Sequence, residues 1–391
     1  MKHPRLNYLA QTQPGFEAIA ADEIAQALDG AIVRGTRSVA DKNGMLLFDY
    51  SGDARDLMQL RTIEDLFVLV ATLPDLPPTR DALGVLEQAA NRAATVEPAL
   101  TLARQVRPGS GGRGKLRFRV ISRQVGATAY RRVDAQHAIE RGIATRGDHR
   151  WQLADDNAIE FWLTLLPNPA ARSAGPATHS TSSGQARSGQ AGRNLSEVIL
   201  ALRLSDERMR HREYKLEHLP ASLRPAAAAA LAWLTHPDDN DVFLDPMCGA
   251  GTILIERANM RRYKLLLGGD RREEALAVAR ANVGPRYKPI ELRQWDARDL
   301  PIDAGSASAV AVNLPFGKQI GTPEENRALY PAILREIARV LRPGGRLAAL
   351  TADGPSLAES LRRTNNLARR QMYPVQVLGQ SAGVYVIERV K

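Results

Sequence analysis

The stretch that most constrains the fold runs from Asp241 to Glu256, D-V-F-L-D-P-M-C-G-A-G-T-I-L-I-E. Val242, Phe243 and Leu244 form a short apolar run suited to a buried parallel strand. Asp245 and Pro246 end it, Gly249 and Gly251 permit a tight turn, and Thr252 to Ala258 reads as a helix. A strand, a glycine turn and a helix make a nucleotide-binding corner. A ligand can approach the bare backbone, and the helix start offers unpaired N–H groups. A dinucleotide fingerprint needs a third glycine, and Leu254 stands there instead. The acidic strand end suits a cationic ligand better than a pyrophosphate. Asp245, Cys248, Gly249, Gly251 and Thr252 are therefore candidate ligand contacts.

Downstream, strand-like runs at 264–268, 289–294, 307–312 and 346–351 alternate with helical patterns at 272–283, 324–341 and 356–365. Such alternation builds a parallel sheet with helices on both faces, an α/β fold. The end differs. Residues 371–378 and 384–390 are joined by Gly379-Gln380-Ser381-Ala382-Gly383, a hairpin-length link that makes these strands antiparallel. Ligands of open α/β sheets gather at the carboxyl ends of the strands, so the polar residues there matter. Asp270 lies 19 residues past Gly251. A carboxylate at that place can accept both ribose hydroxyls of a nucleoside, or cap the following helix. Asp296 ends the next strand, and Asn313 ends the one after, in V-A-V-N-L-P-F-G-K. Upstream, Pro220-Ala221-Ser222-Leu223-Arg224-Pro225 opens an Ala-rich helix, with Pro225 in its first turn.

The N-terminal half reads as two small α+β units. The first, 1–73, has strands at 7–10 and 66–73, a helix from Phe16 to about Leu28, two strands between Ile32 and Tyr50, and a helix at 54–63. The second, 74–204, starts with a turn at 74–78 and continues with helices over 82–106, broken near Val96-Glu97-Pro98. A flexible loop at 108–114, a strand at 116–122, a helix at 133–144 and strands at 158–166 and 195–204 complete it. Residues 168–194, rich in Ser, Gly, Ala and Gln, carry too little apolar surface to offset their ordering entropy and read as a disordered insertion in a hairpin loop. A polar connector, 205–221, leads into the α/β domain at 222–391.

Charge adds a partner. The formal net charge is +10, and the stretch 101–150 alone holds 12 Lys or Arg against three acids. A basic surface that concentrated suggests a phosphate backbone. The RNA-facing candidates are Arg113, Lys115, Arg117, Arg119, Arg131 and Arg132, with Lys318 beside the Asn313 motif. The single cysteine, Cys248, excludes an internal disulfide and fits a reducing compartment. No apolar run follows Met1-Lys2-His3, and the apolar stretches at 66–73 and 226–234 are too short to span a bilayer. The expectation is a cytoplasmic monomer without a metal.

These motifs resemble a known family. L-D-P-M-C-G-A-G-T resembles the first motif of S-adenosylmethionine-dependent methyltransferases, and N-L-P-F resembles the Asn/Asp-X-Pro-aromatic motif of those acting on exocyclic amino groups. The basic unit, with R-F-R-V-I-S-R, resembles a THUMP RNA-binding domain, and the first unit resembles the ferredoxin-like domain that precedes it. Together with P-A-S-L-R-P and N-L-P-F-G-K-Q-I-G-T, the chain resembles THUMP-containing guanine-N2 RNA methyltransferases, especially those acting on tRNA. The resemblance implies a class I Rossmann-like methyltransferase domain and S-adenosylmethionine as cofactor. It implies that Asp296 meets the adenine amino group and that Ser222, Leu223 and Arg224 border the cofactor.

The chemistry fits those residue types. An amino group on a purine is a poor nucleophile because its lone pair is delocalised into the ring. The Asn313 side-chain oxygen and the Leu314 carbonyl can accept its two hydrogens and favour charge developing on the nitrogen. Pro315 fixes the turn, and Phe316 offers a stacking face for an extruded base. No strong base is needed, because the proton becomes acidic only as the methyl transfers. Cys248 as a nucleophile would suggest C5 methylation of a pyrimidine, but it lies in the glycine turn, and no cysteine stands near Asn313. His211 and His218 could serve as bases, but their place in the polar connector suits an interdomain link or an RNA-facing surface better. The rivals are the same chemistry on ribosomal RNA, adenine-N6 methylation of nucleic acid, and a non-catalytic RNA-binding protein. Leu254 and the terminal hairpin disfavour an NAD-dependent dehydrogenase, and no P-loop supports a thiolation enzyme.

Overall fold

The computed structural model describes residues 6–39, 43–108, 114–167, 196–316 and 322–390. The expected insertion at 168–194 and the candidates Arg113 and Lys318 lie outside the described residues.

Strands β1 (Leu6–Thr12), β2 (Ile32–Val39), β3 (Asn43–Tyr50), β4 (Asp65–Leu76), β5 (Leu116–Gln124), β6 (Trp151–Leu153), β7 (Ile159–Pro167) and β8 (Ser196–Arg203) form one sheet in the order β2-β3-β1-β4-β8-β7-β5-β6. Helices α1 (Glu17–Ala27), α2 (Ala54–Leu57), α3 (Ala82–Arg92), α4 (Val96–Val106) and α5 (Arg132–Ala144) accompany it. β5 alternates as its sequence requires: Leu116, Phe118 and Val120 are buried beside Ala135 and Ile139 of α5, while Arg117 is exposed. β4 pairs with β1 on one side and β8 on the other, so strands of both N-terminal units share one sheet. Residue 73, where the sequence reading divides them, lies inside β4. β7 and β8 pair antiparallel up to Pro167 opposite Ser196, which makes them the two arms of a hairpin.

Several local expectations change. The helix expected over 54–63 stops at Leu57. The N–H groups of Arg61 and Thr62 instead donate to the buried carboxylate of Glu23, each at 2.8 Å. The turn expected at 74–78 is partly strand, because β4 continues to Leu76 and the register shift between Leu73 and Leu76 absorbs Pro74. The break between α3 and α4 falls at 93–95, and Pro98 sits in the first turn of α4, where its missing N–H costs nothing. The short β6 and the connector helix α6 (Glu207–His211) have no counterpart in the sequence reading.

The C-terminal domain contains α7 (Pro225–Leu234), β9 (Val242–Asp245), α8 (Thr252–Ala258), β10 (Leu265–Asp270), α9 (Glu273–Val283), β11 (Ile290–Gln294), β12 (Ala307–Asn313), α10 (Pro323–Val340), β13 (Leu341–Thr351), α11 (Gly354–Arg362), β14 (Leu367–Val377) and β15 (Gln380–Arg389). The sheet order is β11-β10-β9-β12-β13-β15-β14, with β11 to β13 parallel and the last hairpin antiparallel. This is the parallel α/β sheet closed by an antiparallel hairpin that the sequence predicts. Leu231, Leu254, Leu276 and Ala279 cover one face, and Ile333, Ile337 and Leu357 the other. The closing link is tighter than the expected five residues. Only Leu378 and Gly379 lie between the strands, with φ of 52° and 73°. The chain order reverses between β9 and β12, which opens a crevice above their carboxyl ends.

The halves are packed together. Phe16, the N-cap of α1, and Ile19 within it join the core of Leu231 and Val375. Gln376 N donates to Pro14 O at 2.9 Å. Glu256 of α8 is buried and receives Arg61 Nε at 2.6 Å and the Tyr214 hydroxyl at 2.5 Å, with Arg212 Nε at 3.6 Å.

Candidate active site

A cavity of about 600 Å³ opens at the carboxyl ends of β9, β10, β11 and β12. Among its lining residues are Ser222, Leu223, Asp245, Cys248, Gly249, Thr252, Asp270, Asp296 and the run Asn313-Leu314-Pro315-Phe316. Candidates separated by up to 94 positions thus face one space.

Asp245 is fully enclosed. Its Oδ1 accepts from Met247 N at 3.2 Å, and its Oδ2 has no partner. Burial, with the charge of Asp270 adding to it, pushes this carboxyl up to about 8. The turn that follows has φ of 50° at Gly249 and 75° at Gly251, values that favour glycine. They serve different ends. A Cβ on Gly249 would meet nothing within 4 Å, whereas one on Gly251 would touch Ala279 of α9 at 3.4 Å. Gly249 borders the cavity; Gly251 permits the packing of α9. Cys248 donates its N–H to Gly269 O at 2.8 Å. Burial, then the charges of Asp245 and Asp270, hold its thiol well above the usual range, so it stays a neutral lining group.

Asp270 uses both oxygens: Oδ2 accepts from Gly249 N at 3.2 Å and Oδ1 from Arg272 N at 3.0 Å. It ties the glycine turn to the start of α9. Asp296 is gripped by Arg298, whose Nη2 lies 2.6 Å from Oδ2 and whose backbone N lies 2.9 Å from Oδ1. That hydrogen bond holds the Asp296 carboxyl below its ordinary value. Between them Trp295 packs against Gly269, where a Cβ would sit 2.0 Å from the ring, and donates to Pro246 O at 3.0 Å.

Across the crevice, Asn313 Oδ1 is enclosed without a hydrogen-bond partner. Leu314 N donates to Leu350 O at 3.0 Å, which anchors the start of the turn to β13. The Pro315 carbonyl accepts from the Tyr330 hydroxyl at 2.5 Å and from Asn326 Nδ2 at 3.1 Å. Tyr330 also meets Thr351 Oγ1 at 2.7 Å, and Asn326 Nδ2 reaches Asp353 Oδ2 at 3.2 Å. Two buried side chains of α10 thus hold the turn. The roof comes from the connector. Asn282 accepts from Glu217 N at 2.9 Å and donates to Ala250 O at 3.1 Å, clamping the approach to Ser222 and Leu223 onto the glycine loop.

Other candidates lie elsewhere. Arg224 caps α7 and reaches Glu64 Oε1 at 3.1 Å, outside the cavity lining. Lys115 and Arg117 are exposed. Arg119 is bound to Glu160 and to Asp155 O, Arg131 to Asp134, and Arg132 to the Ser122 carbonyl and hydroxyl. Arg119 and Arg131 are thus paired with carboxylates within the fold, while Arg132 is held by neutral oxygens and keeps its charge. His211 and His218 are exposed and do not line the cavity. Among the described residues no cluster of His, Cys, Asp and Glu could hold a metal, and no helix is long and apolar enough to cross a membrane. Sequence reasoning missed Trp295, Asn326, Tyr330, Leu378 and Gln380. Trp295 had a signal, lying between the strand and Asp296; the others depend on how α10 and the hairpin pack.

Residues 212–381 match the family described as UPF0020, an RMKL-like methyltransferase domain. A Bos taurus protein named tRNA (guanine(6)-N(2))-methyltransferase THUMP3 is 26% identical over 457 aligned positions, covering 99% of this chain and 89% of that protein. A Thermus thermophilus protein named tRNA (guanine(6)-N2)-methyltransferase is 32% identical over 196 positions, 50% of this chain and 58% of that protein. Residues 212–381 thus form a methyltransferase domain of that family, and the whole chain is similar to THUMP-named guanine-N2 methyltransferases. The crystal structure of TrmN from Thermus thermophilus shares its fold, with a TM-score of 0.72 at 24% identity over 98% of this chain and 100% of that one. The chain thus carries a methyltransferase domain, for which the motif resemblance implies S-adenosylmethionine as cofactor. The cavity suits that cofactor: the enclosed, unpartnered Asp245 Oδ2 beside Asp270 asks for a cationic partner, and the side of Gly249 is bare.

Proposed function

We propose that the enzyme methylates the 2-amino group of a guanosine in tRNA. The observation that carries this reading is Asn313 Oδ1, an enclosed acceptor without a partner at a strand end, in the same cavity as Asp245 and Asp270. Holding an exocyclic NH₂ requires two acceptors. Asn313 Oδ1 is one. The Pro315 carbonyl already receives two donors, which leaves the Leu314 carbonyl as the other. With both hydrogens taken, the nitrogen lone pair is turned from the ring toward its reaction partner, and charge building on the nitrogen is stabilised. Phe316, at the cavity wall, offers its ring to the extruded base.

S-adenosylmethionine supplies an electrophilic methyl group. Asp245, Cys248, Gly249 and Thr252, with Ser222 and Leu223 above, would hold it on one side, and Asp270 and Asp296 on the other. Asp270 keeps free lone pairs beyond its two backbone donors for the ribose hydroxyls. Gly251 acts through the packing of α9, and Arg224 through Glu64. The exposed Lys115 and Arg117 would meet the phosphate backbone. The names of the Bos taurus and Thermus thermophilus relatives support tRNA as the substrate. The test is to incubate the full chain with labelled cofactor and separate pools of tRNA, ribosomal RNA and DNA, then digest each and identify the nucleoside by mass spectrometry. N2-methylguanosine in the tRNA pool is the expected result. Label in DNA, or in 6-methyladenosine, overturns the reading.

A further inference from the structure

The tip of the β14–β15 hairpin is built against its own interest. A two-residue link with both φ positive is the turn type that favours Asn-Gly or Asp-Gly. Gly379 meets that demand at 73°, but Leu378 sits at 52°, a conformation that a bulky side chain rarely adopts. The same leucine is also one of the exposed large apolar residues of the chain, 43% accessible. Both features are unfavourable for folding alone, and asparagine would cure both.

Strand register shows where the tip stands. Asn313 lies level with Leu350, and Leu350 level with Val384. From Val384 the hairpin runs on to Gly379, five residues nearer its tip, roughly 17 Å at about 3.4 Å per residue. The tip thus projects beyond the carboxyl edge of the sheet on the side of the cavity, and Leu378 and Gln380 are among the lining residues. Gln380 Oε1 is enclosed there without a hydrogen-bond partner. A strained, exposed leucine beside an unsatisfied acceptor at the rim of an active site is a pattern that function, not folding, explains.

We propose that Leu378 packs against the RNA bases flanking the target guanosine, occupying the gap in the stack when the target enters the cavity. This rests on the reading of the site as one that takes an extruded guanosine. Swinging one nucleotide out breaks stacking on both sides, and an apolar side chain entering that gap restores part of the lost contact. The height of the tip above Asn313 suits neighbours of the target better than the target itself.

The experiment uses the full chain and a methylatable tRNA, with Leu378→Asn, Leu378→Gly and Leu378→Met. Cofactor affinity is read by calorimetry, the thermal midpoint by scanning, and kcat/KM for RNA by methyl incorporation. In Leu378→Asn and Leu378→Gly the midpoint stays level or rises, cofactor affinity stays within about twofold, and kcat/KM for RNA falls about tenfold, within the range that a base-stacking contact supplies. Leu378→Met, which keeps the apolar contact, retains most of the activity. Unchanged RNA kinetics in Leu378→Asn and Leu378→Gly overturn the proposal, as does a loss of cofactor affinity that accounts for the drop. The wild-type product separates the two claims. Absence of N2-methylguanosine sinks the reading of the site, whereas N2-methylguanosine formed equally well by wild type and Leu378→Asn sinks only the role of Leu378.

Discussion

Asp245 occupies a place where a carboxylate is costly: fully enclosed, one oxygen unpartnered, another acid nearby. Its folded-state value of about 8 stands above the ordinary 3.8. The folded state therefore holds a proton that the unfolded state has released, and stability falls as pH rises from about 4 to about 8. Asp245→Asn removes that dependence. In the absence of cofactor, the variant should gain on wild type across this window in thermal scans, while its cofactor affinity falls. A gain of equal size at pH 4 and pH 8 would contradict the assignment. Asn313 poses the opposite case, an acceptor waiting for a partner. Asn313→Ala should leave cofactor and RNA binding near wild type and lower single-turnover methyl transfer by about 10²–10³, the usual loss of one positioned polar group. A weakened cofactor with unchanged chemistry would move Asn313 to the other half of the site. Asp245, Asp270, Asp296 and Asn313 were legible because α/β sheets bring strand ends together whatever the intervening sequence. Arg119 was not. Its alternation with Phe118 marks an outward face, but its partner Glu160 comes from another strand.

At the scale of elements, close approach decides more than propensity does. Gly142 lies inside α5, where a Cβ would come within 2.3 Å of Glu87 O and 2.8 Å of Ala90 Cβ on α3. Alanine there would gain about 1 kcal/mol of helix propensity and meet an overpacking cost of up to about 3 kcal/mol. Gly142→Ala should therefore lower the thermal midpoint; a rise would mean that α3 yields freely. Periodicity and turn residues revealed most of the elements: the alternation in β5, Pro225 at the first turn of α7, the hairpin closing the sheet. They failed where a distant side chain intervenes. Glu23 takes the N–H groups of Arg61 and Thr62 and ends α2 early. Asn326 and Tyr330 of α10 look like ordinary helix residues until the Pro315 carbonyl is seen between them.

Across the whole molecule, the N-terminal half and the cavity-bearing domain are joined through buried charge. Glu256 on α8, six residues from the glycine turn at Ala250, receives Arg61 from the loop before β4 and Tyr214 from the connector, with Arg212 close by. Breaking one partner of a buried pair costs more than breaking an exposed pair would, so this cluster ties the two halves together. Within the basic stretch Arg119 and Arg131 are paired with carboxylates, while Arg132 is held by neutral oxygens. Lys115→Glu with Arg117→Glu should weaken tRNA binding and reduce its salt dependence, with cofactor affinity unchanged. RNA affinity indifferent to both changes and to salt would make that face merely solvated. The central claim, that an exocyclic amino group is held by Asn313 and the Leu314 carbonyl, is tested most directly by removing that amino group from the substrate. The methylated guanosine is first located by mass spectrometry, and an otherwise identical tRNA is then built with inosine at that position. Inosine has no 2-amino group, so the guanosine transcript should yield N2-methylguanosine and the inosine transcript no methylated nucleoside at that site. Methylation of the inosine as efficient as that of guanosine would contradict the account.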